Sequence, residues 1–366
     1  MKILIMKFRN IGDVLLTSPM ASALATLDDK PEVTFLVKAG TEMMLTGHPD
    51  IKTVLVVPQR EKNESKGSFI LRQFGFIKKL RKMKFDMTIN TTEGDRGAII
   101  GFLTGTAQRV GYLKPKDKWW RKKLINHVYE WVDDRRHTVL KNLDLINTLV
   151  TPESISVSFH FSTADTEKVD SLLRSKGWDG KSALIHVHPV SRWFFKCWQD
   201  EYMAEVIDSL HGDNVTVVVT CAPIEKERQR LDSILSYTKS DVIDLGGLLS
   251  LKELGALSSI AQQFFGVDSA PMHMAAALNI PCVAIFGPSK AFEWGPWPNG
   301  WGSLETPYLK INDLQESQPH RVIQKGWRCV PCGQDGCDGS KKSRCLDELL
   351  PSHPVFSDSK YESKCL

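Results

Sequence analysis

The sequence predicts an α/β protein built from two doubly wound halves, in which parallel sheets carry helices on both faces. Short apolar runs of strand length alternate with helical stretches, and a second alternating series starts near residue 183. The 366-residue length also favours two domains over one. We therefore expect domains at 1–165 and 166–325 that face a central cleft. A Cys-rich segment at 326–348 and a flexible tail at 349–366 follow them.

The composition is that of an ordinary globular protein, with 42% hydrophobic and 25% charged residues. No run reaches the roughly 18 apolar residues that a membrane span needs. The N-terminus, MKILIMKF, starts like a signal peptide, but its apolar segment is too short for one. These features predict a cytoplasmic protein.

The first half begins with a strand at 2–8, a turn at 9–13 and a helix at 14–27. Further strands are predicted at 32–37, 52–57 and 85–90, with a short strand or turn at 109–111, and further helices at 69–83, 97–104 and 137–150. The first turn lacks both Gly-x-Gly-x-x-Gly and a Walker Gly-Lys-Ser/Thr, which argues against a dinucleotide cofactor and a P-loop ATPase. Asp13 would lie at the carboxyl end of the first strand, where it either faces the cleft or caps a helix.

The second half opens with an alternating stretch at 154–161, which predicts an edge strand. Strands then follow at 183–187, 215–220, 242–244, 263–267 and 282–286, with helices at 166–176, 200–211, 225–236, 251–261 and 272–278. The most informative part is 261–289, a strand, loop, helix and strand that read as one βαβ unit. Free N–H groups at the start of its helix suit an anionic ligand.

Basic charge is concentrated in the first third of the chain. Residues 60–84 hold nine Lys/Arg and two Glu, and residues 114–123 hold six Lys/Arg and one Asp. These segments are either solvated helix faces or a surface for an acidic partner: nucleic acid, anionic lipid or a phosphorylated glycan. Trp119 and Trp120 lie among the lysines, and exposed Trp beside Lys suits a sugar ring, a membrane interface or a stacked base.

Four cysteines lie within 17 residues, with the spacing Cys-x2-Cys-x4-Cys-x7-Cys: Cys329, Cys332, Cys337 and Cys345. Four thiolates can complete a tetrahedral zinc site, although this is not the spacing of a usual zinc finger. Reduced thiols or a disulfide are the alternatives. If a metal binds here, we expect its role to be structural.

Two motifs together point to a family. Arg9-x-x-Gly12-Asp13 follows the first strand, and Gly266-Val267-Asp268-Ser269-x-x-x-His273 is followed by Phe286-Gly287-Pro288-Ser289. With Lys196 two residues before Trp198 and the Cys-rich segment, the chain resembles the ADP-heptose:lipopolysaccharide heptosyltransferases, glycosyltransferase family 9, from residue 1 to about 348. The resemblance implies a GT-B fold, with the acceptor on the N-terminal domain and the nucleotide-sugar on the C-terminal domain. It also implies inverting transfer of L-glycero-D-manno-heptose from ADP-heptose to a heptose of the lipopolysaccharide inner core, with no cofactor required for catalysis.

The resemblance further implies roles for particular residues. Asp13 would be the base, and Lys196 would contact the diphosphate, with Arg192 as a second candidate. Glu225 would bind the ribose, with Glu227 as the alternative. The remaining substrate-binding candidates are Gly12, Ser191, Asp268, Ser269, Ala270, Pro271, Met272 and His273. Glu93, Asp95 and Arg96 would contact the acceptor, although Glu93 and Asp95 could also compete for the role of base or cap a helix.

The expected partners are ADP-heptose, a lipopolysaccharide inner-core acceptor and the cytoplasmic face of the inner membrane, where the protein would be peripheral. The basic segments would steer the acceptor, which carries phosphates and carboxylates, and the membrane. A nucleic-acid partner is not expected, because no recognised binding module is present. The rival interpretations are a nucleic-acid-binding protein, another nucleotide-sugar transferase or epimerase of GT-B fold, and a non-catalytic sugar-binding relative.

Overall fold

The computed structural model describes residues 1–114, 116–132, 135–310 and 314–352. The chain forms two compact units: unit 1, Met1–His160, and unit 2, from Phe161 onward. The boundary falls just before the helix Thr163–Ser175, so this helix belongs wholly to unit 2 rather than straddling the predicted join at 165. Within the described ranges, no helix combines the length and the apolarity that crossing a bilayer would require.

Unit 1 contains a six-stranded parallel sheet with the order β3-β2-β1-β4-β5-β6. Its strands are β1 (Lys2–Lys7), β2 (Glu32–Val37), β3 (Thr53–Val56), β4 (Met87–Asn90), β5 (Gln108–Leu113) and β6 (His127–Glu130). Its helices are α1 (Ile11–Leu15), α2 (Ser18–Leu24), α3 (Lys66–Met83), α4 (Asp95–Leu103), α5 (Trp119–Leu124) and α6 (Thr138–Asp144), with a 3-10 turn at Glu42–Met44.

The strand order explains which helices share a face of this sheet. From β1 the chain moves outward through β2 to β3, and it then returns to the other side of β1 and moves through β4 and β5 to β6. Since parallel crossovers are right-handed, the connections containing α3, α4 and α5 lie on one face and α1 and α2 on the other. The packing supports a shared face for α3 and α4, because Leu80 of α3 and Ile100 of α4 join residues of β1 in one buried cluster.

Unit 2 contains a seven-stranded sheet with the order β12-β13-β11-β10-β7-β8-β9, parallel except for the edge strand β12. Its strands are β7 (Ala183–His188), β8 (Val215–Val219), β9 (Ile243–Asp244), β10 (Gln263–Val267), β11 (Cys282–Phe286), β12 (Leu314–Ser317) and β13 (His320–Gln324). Its helices are α7 (Thr163–Ser175), α8 (Asp200–Leu210), α9 (Glu225–Tyr237), α10 (Leu251–Ile260), α11 (Ala270–Ala277), α12 (Ala291–Trp294) and α13 (Arg344–Asp347), with 3-10 turns at Phe194–Lys196 and Cys337–Gly339.

The C-terminal segment packs into the core of unit 2. Leu346 is buried against Gly287, where an added Cβ would lie 2.7 Å from a Leu346 methyl carbon, so only glycine fits there. Leu349, the first residue of the predicted tail, is fully buried. Residues 353–366 of that predicted tail lie outside the described residues.

The predicted edge strand at 154–161 is wrong. Its alternation is real, because Ile155, Val157 and Phe159 are buried, but the structure has no strand there. The segment up to His160 instead belongs to unit 1, where the Ser158 N–H donates to Ser18 Oγ at 3.2 Å. The alternation therefore reflects which side chains are buried, and within the segment only Ile155 lies in an isolated β-bridge.

Candidate functional site

Each sheet reverses its strand order at one point, between β1 and β4 in unit 1 and between β7 and β10 in unit 2. Ligands of open α/β sheets bind at such points, outside the carboxyl ends of the strands. Most predicted site residues lie in the segments that follow β1, β4, β7 and β10.

In unit 1, Asp13 lies in the first turn of α1, directly after β1. It is partly buried, and its Oδ2 accepts the backbone N–H of Asn10 at 3.2 Å, next to the buried Gly12. This is the local role that a first-turn Asp plays at a helix start. The contact also holds the carboxylate in a fixed orientation at the switch point, which a general base needs.

The acidic residues after β4 are paired with cations. Glu93 forms ion pairs with Arg9, at 3.7 Å, and with Lys114, while Asp95 lies 3.7 Å from the Lys118 ammonium. Sequence reasoning singled out neither Arg9 nor Lys114 as a partner of Glu93, because only the fold brings the three together.

Arg96 is held against its own unit. Its guanidinium donates to the carbonyl oxygen of Pro58 at 2.8 Å and lies over the Phe8 ring. Burial lowers the pKa of Arg96 from its usual value. The side chain therefore joins the start of α4 to the loop after β3.

In unit 2, an ion pair connects the two segments at the switch point. The Lys196 ammonium, in the 3-10 turn after β7, lies 2.6 Å from Oδ2 of Asp268, which follows β10. The Asp268 side chain is 6% exposed and the Lys196 side chain 22%, so the carboxylate is buried while the ammonium keeps a path to solvent. The two residues predicted for separate ligand contacts are thus each other's partner.

Helix α11 begins beside this pair, two residues earlier than predicted. Ser269 is its N-cap, and the Ser269 hydroxyl is buried with no hydrogen-bond partner within the described part of the chain. Ala270 and Pro271 form the first turn, and the side chains of Met272 and His273 are buried in the protein. Met272 can therefore offer a ligand only its backbone N–H.

Next to the Lys196 loop lies a cavity of about 260 Å³. Its lining residues combine aromatic rings and cations: Arg192, Trp193, Phe194, Phe195, Ile224, Lys226, Glu227 and Lys341. The Arg192 guanidinium lies over the Trp193 ring at 4.7 Å. The aromatic rings suit a flat polar ring system, and the cations suit negatively charged groups attached to it.

The two glutamates proposed for the ribose differ in position. Glu225 is exposed and accepts a hydrogen bond from Gln229 at 2.8 Å. Glu227 lines the cavity, is buried, and accepts the Ala222 N–H at 3.2 Å. Burial raises the pKa of Glu227. The geometry therefore favours Glu227, the alternative assignment, as the carboxylate that a ligand in the cavity would meet.

The loop that carries Lys196 is held by contacts within the loop and by hydrogen bonds to the C-terminal segment. Within it, the Ser191 N–H contacts the Cys197 sulfur at 3.2 Å. From the C-terminal segment, Ser343 Oγ donates to the Phe195 carbonyl oxygen at 2.6 Å, and the Trp198 ring N–H donates to the Leu349 carbonyl oxygen at 2.8 Å. Ser343 and Leu349 carried no signal in the sequence, because their partners lie 148 and 151 residues away along the chain.

The four clustered cysteines differ in exposure. Cys329 and Cys332 are exposed, Cys337 is intermediate and Cys345 is buried. Burial and the neighbouring thiols raise the pKa of Cys345 to about 12. Over the residues that the structure describes, no group of three or more His, Cys, Asp or Glu is arranged to hold a metal ion. A structural zinc at these cysteines stays a prediction that metal analysis of the purified protein can test.

Residues 73–319 match the family described as glycosyltransferase family 9 (heptosyltransferase). Among curated proteins, lipopolysaccharide heptosyltransferase 3 of Escherichia coli is 29% identical over 292 residues, which cover 79% of this chain and 84% of that protein.

Two solved structures share the fold. E. coli ADP-heptose lipopolysaccharide heptosyltransferase II aligns with a TM-score of 0.71 and 18% identity, over 99% of this chain and 98% of that chain. The E. coli heptosyltransferase WaaC with ADP aligns with a TM-score of 0.64 and 18% identity, over 81% of this chain and 91% of that chain. With the two parallel sheets, these likenesses confirm the predicted GT-B class of two Rossmann-like units.

Proposed function

Because this chain belongs to glycosyltransferase family 9, the heptosyltransferases, we propose that it transfers L-glycero-D-manno-heptose from ADP-heptose to a heptose of the lipopolysaccharide inner core, with inversion. The segment from Gly326 to Cys337 resembles heptosyltransferase III, and the 29% identity to the E. coli enzyme of that name supports the same acceptor region. The observation that carries the donor assignment is the ion pair between Lys196 and Asp268 at the switch point of unit 2.

This ion pair suggests how unit 2 receives the donor. Without ligand, the buried Asp268 carboxylate is neutralised by Lys196, since a buried charge without a partner is costly. A bound diphosphate brings two negative charges to the solvent-accessible side of the ammonium. Lys196 then balances the phosphates, and Asp268 accepts hydrogen bonds from the heptose hydroxyls. The Ser269 hydroxyl and the first N–H groups of α11 supply further donors to phosphate oxygens.

The chemical step needs one base and a stabilised leaving group. Asp13 takes the proton of the acceptor hydroxyl, and that oxygen attacks the anomeric carbon from the face opposite the diphosphate. The bond between the anomeric carbon and the diphosphate oxygen breaks, and its electron pair leaves with ADP, which needs no protonation. Lys196 stabilises the charge that develops on the departing phosphate. No second carboxylic acid is required, unlike in a glycosidase.

The nucleoside fits the cavity beside the Lys196 loop. We assign the ribose hydroxyls to Glu227, which lines that cavity, and the adenine to the rings of Trp193 and Phe194. Arg192 and Lys226 add positive charge to the lining of the cavity, which favours a ligand that carries phosphates. Glu225 takes no part, because its carboxylate is exposed and paired with Gln229.

The acceptor belongs to unit 1 in this proposal. Glu93 and Asp95 offer acceptor oxygens for sugar hydroxyls, while their cation partners Arg9, Lys114 and Lys118 offer charge to core phosphates. Arg96 positions the start of α4 rather than contacting ligand directly. Since the acceptor is a membrane lipid, we place the protein at the cytoplasmic face of the inner membrane.

A transfer assay tests the proposal. ADP-heptose is supplied with core acceptors of stepwise length, and the wild-type protein is compared with Asp13→Asn. We expect transfer to one acceptor length, and a loss of about 10² to 10⁴ in rate for the variant with its ADP affinity unchanged. Full activity in Asp13→Asn would contradict the assignment of the base, and no transfer to any acceptor would contradict the substrate class.

Nucleotide preference separates the proposal from its nearest rival. We expect ADP to raise the melting temperature more than UDP or GDP, since ligand binding stabilises the folded state by mass action. Preferential stabilisation by UDP would favour another nucleotide-sugar enzyme of the same fold.

A further inference from the structure

Helix α3 exposes large apolar side chains on the face that points away from the sheet. Leu71 is 73% exposed and Phe74 is 69% exposed, and Ile70, beside them, is also exposed. These positions share one side of the helix, since residues three and four apart are neighbours. The opposite side packs inward through Leu80. Burial in the core of unit 1 therefore does not account for this apolar group.

The two helices that follow α3 on the same face of the sheet repeat the feature. Helix α4 exposes Ile99, Phe102 and Leu103, which again have helical spacing. On α5, Trp119 is 70% exposed, and the Lys123 ammonium lies over its ring at 4.9 Å. Because α3 packs against α4 and α4 against α5, the exposed side chains belong to one side of unit 1. We call this surface the α3–α5 face.

The charges of the α3–α5 face are nearly all positive. Helix α3 holds six cations and no acidic residue, and α5 adds three more cations with no acid: Lys66, Arg72, Lys78, Lys79, Arg81 and Lys82 on α3, and Arg121, Lys122 and Lys123 on α5. Arg72 and Arg121 are occupied by ion pairs within the unit, with Glu64 and Asp117. The cations near the end of α3, Lys78, Lys79 and Lys82, are exposed.

We propose that the α3–α5 face docks on an anionic lipid bilayer, with Ile70, Leu71, Phe74 and their neighbours on α4 and α5 inserted among the headgroups and the lysines set against lipid phosphates. A helix with Trp, Phe and Leu on one part of its surface and Lys/Arg beside them is typical of interfacial binding. Each lysine near the surface adds electrostatic attraction, and each apolar side chain adds burial.

Other occupants fit this surface less well. The phosphates of a nucleic acid could pair with the lysines, and a base could stack on Trp119. The aliphatic Leu71 and Leu103, however, would make no favourable contact with a phosphate backbone. A protein partner could bury the exposed apolar side chains, but lysines are depleted in protein–protein interfaces. An anionic bilayer surface offers both a partner for the lysines and an apolar layer in which the exposed apolar side chains can be buried.

Vesicle sedimentation with the full chain tests the proposal without any sugar donor, so its outcome is separate from that of the transfer assay. We compare phosphatidylglycerol-containing vesicles with neutral phosphatidylcholine vesicles, at low and high salt. We expect binding to the anionic vesicles that weakens as salt is added. The double variant Leu71→Ser, Phe74→Ser should bind at least about tenfold more weakly, since both side chains lose their burial in the bilayer.

The matched control is Leu304→Ser, which removes a comparably exposed leucine from unit 2, 63% exposed against 73% for Leu71. We expect its binding to equal that of the wild type, and we expect unchanged melting temperatures for all variants because the altered side chains are exposed. Undiminished binding of the double variant, an equal loss in Leu304→Ser, or equal binding to neutral vesicles would each overturn the proposal. Tighter binding to a generic RNA than to vesicles would do so too, as would dimerisation in solution that the double variant abolishes.

Discussion

The two switch points of this protein have the same topology and different chemistry. Asp13 and Glu93 in unit 1 are only partly buried, and their partners are a backbone N–H and the half-exposed cations Arg9 and Lys114. Unit 2 has instead the buried Asp268 paired with Lys196, beside a cavity with aromatic walls. Strand order therefore decides where a ligand can bind, while the side chains at the strand ends decide what kind of ligand it is.

The difference matches the two substrates in our proposal. A nucleotide-sugar is small enough for part of it to occupy a cavity of about 260 Å³. Its diphosphate and its sugar hydroxyls can also take the place of the partners that Lys196 and Asp268 give each other. A lipopolysaccharide acceptor is large and charged, so partly exposed ion pairs that can rearrange suit it better. The predictions below test whether this contrast between a preorganised donor site and a rearranging acceptor site holds.

The largest effect in unit 2 is expected from Lys196→Ala. Transfer should fall about 10² to 10³ fold, because a charge that stabilises the departing diphosphate is lost. The free energy of unfolding should also fall, by at most about 3 kcal/mol, because the buried Asp268 carboxylate loses its partner while Lys196 itself is partly solvated. Urea unfolding and the transfer assay measure the two effects.

The double variant Lys196→Ala, Asp268→Asn separates these two roles. It should recover most of the stability, because no unpaired buried charge is left, while transfer stays low. Wild-type activity in the double variant would show that the ion pair is only structural.

Acid should weaken both units through buried histidines. Burial and the neighbouring His160 lower the pKa of His48 in unit 1 to about 4, and burial lowers the pKa of His188 in unit 2 to about 3. Unfolded histidine titrates near 6.5, so their stabilising contribution is complete above that pH and is lost as the pH falls toward the folded values. At about pH 5, each of these two histidines should lower the free energy of unfolding by about 2 kcal/mol relative to pH 7.

Urea unfolding at the two pH values checks this dependence. His48→Asn should remove the contribution of His48 and leave the contribution of the unit 2 histidines whose pKa burial lowers, which are His186, His188 and His320. An unchanged pH dependence in His48→Asn would contradict the assignment to that residue.

A matched pair of substitutions tests the nucleoside cavity. Glu227→Gln should raise the KM for ADP-heptose about tenfold, because a buried charged acceptor of the ribose hydroxyls becomes a neutral amide. Glu225→Gln, an exposed neighbour on the same helix, should leave KM unchanged. If only Glu225→Gln raises KM, the cavity does not hold the ribose.

Much of this fold could be predicted from the sequence, because parallel strands are buried on both faces and read as apolar runs. Residues 3–6 of β1 and all of β11 are buried, and both were predicted as strands. The strands that escaped notice are the mostly exposed β6 and the edge hairpin of β12 and β13, whose polar residues resemble loops. The stretch 154–161 failed in the opposite way, since burial without a ladder produced the same alternation.

The sequence predicted individual residues of the site but not the contacts between them. Lys196 and Asp268 were each singled out by family motifs, but their pairing joins positions 72 residues apart and depends on β7 and β10 being neighbours. The choice between Glu225 and Glu227 depends on which side of α9 faces the cavity. The supporting contacts from the C-terminal segment carry no local pattern at all.

The smallest effect is expected at Ser343, a positioning residue in our account. Ser343→Ala removes the buried hydrogen bond to the Phe195 carbonyl oxygen, which should cost about 1 kcal/mol, or about fivefold in kcat/KM for the donor. If the contact positions Lys196 for the donor, the loss should appear in the donor KM while the acceptor KM stays constant. Ser340→Ala, an exposed serine of the same segment, is the control and should match the wild type. Equal loss in both KM values would mean that Ser343 serves overall stability, and the preorganised donor site would then not depend on the C-terminal segment.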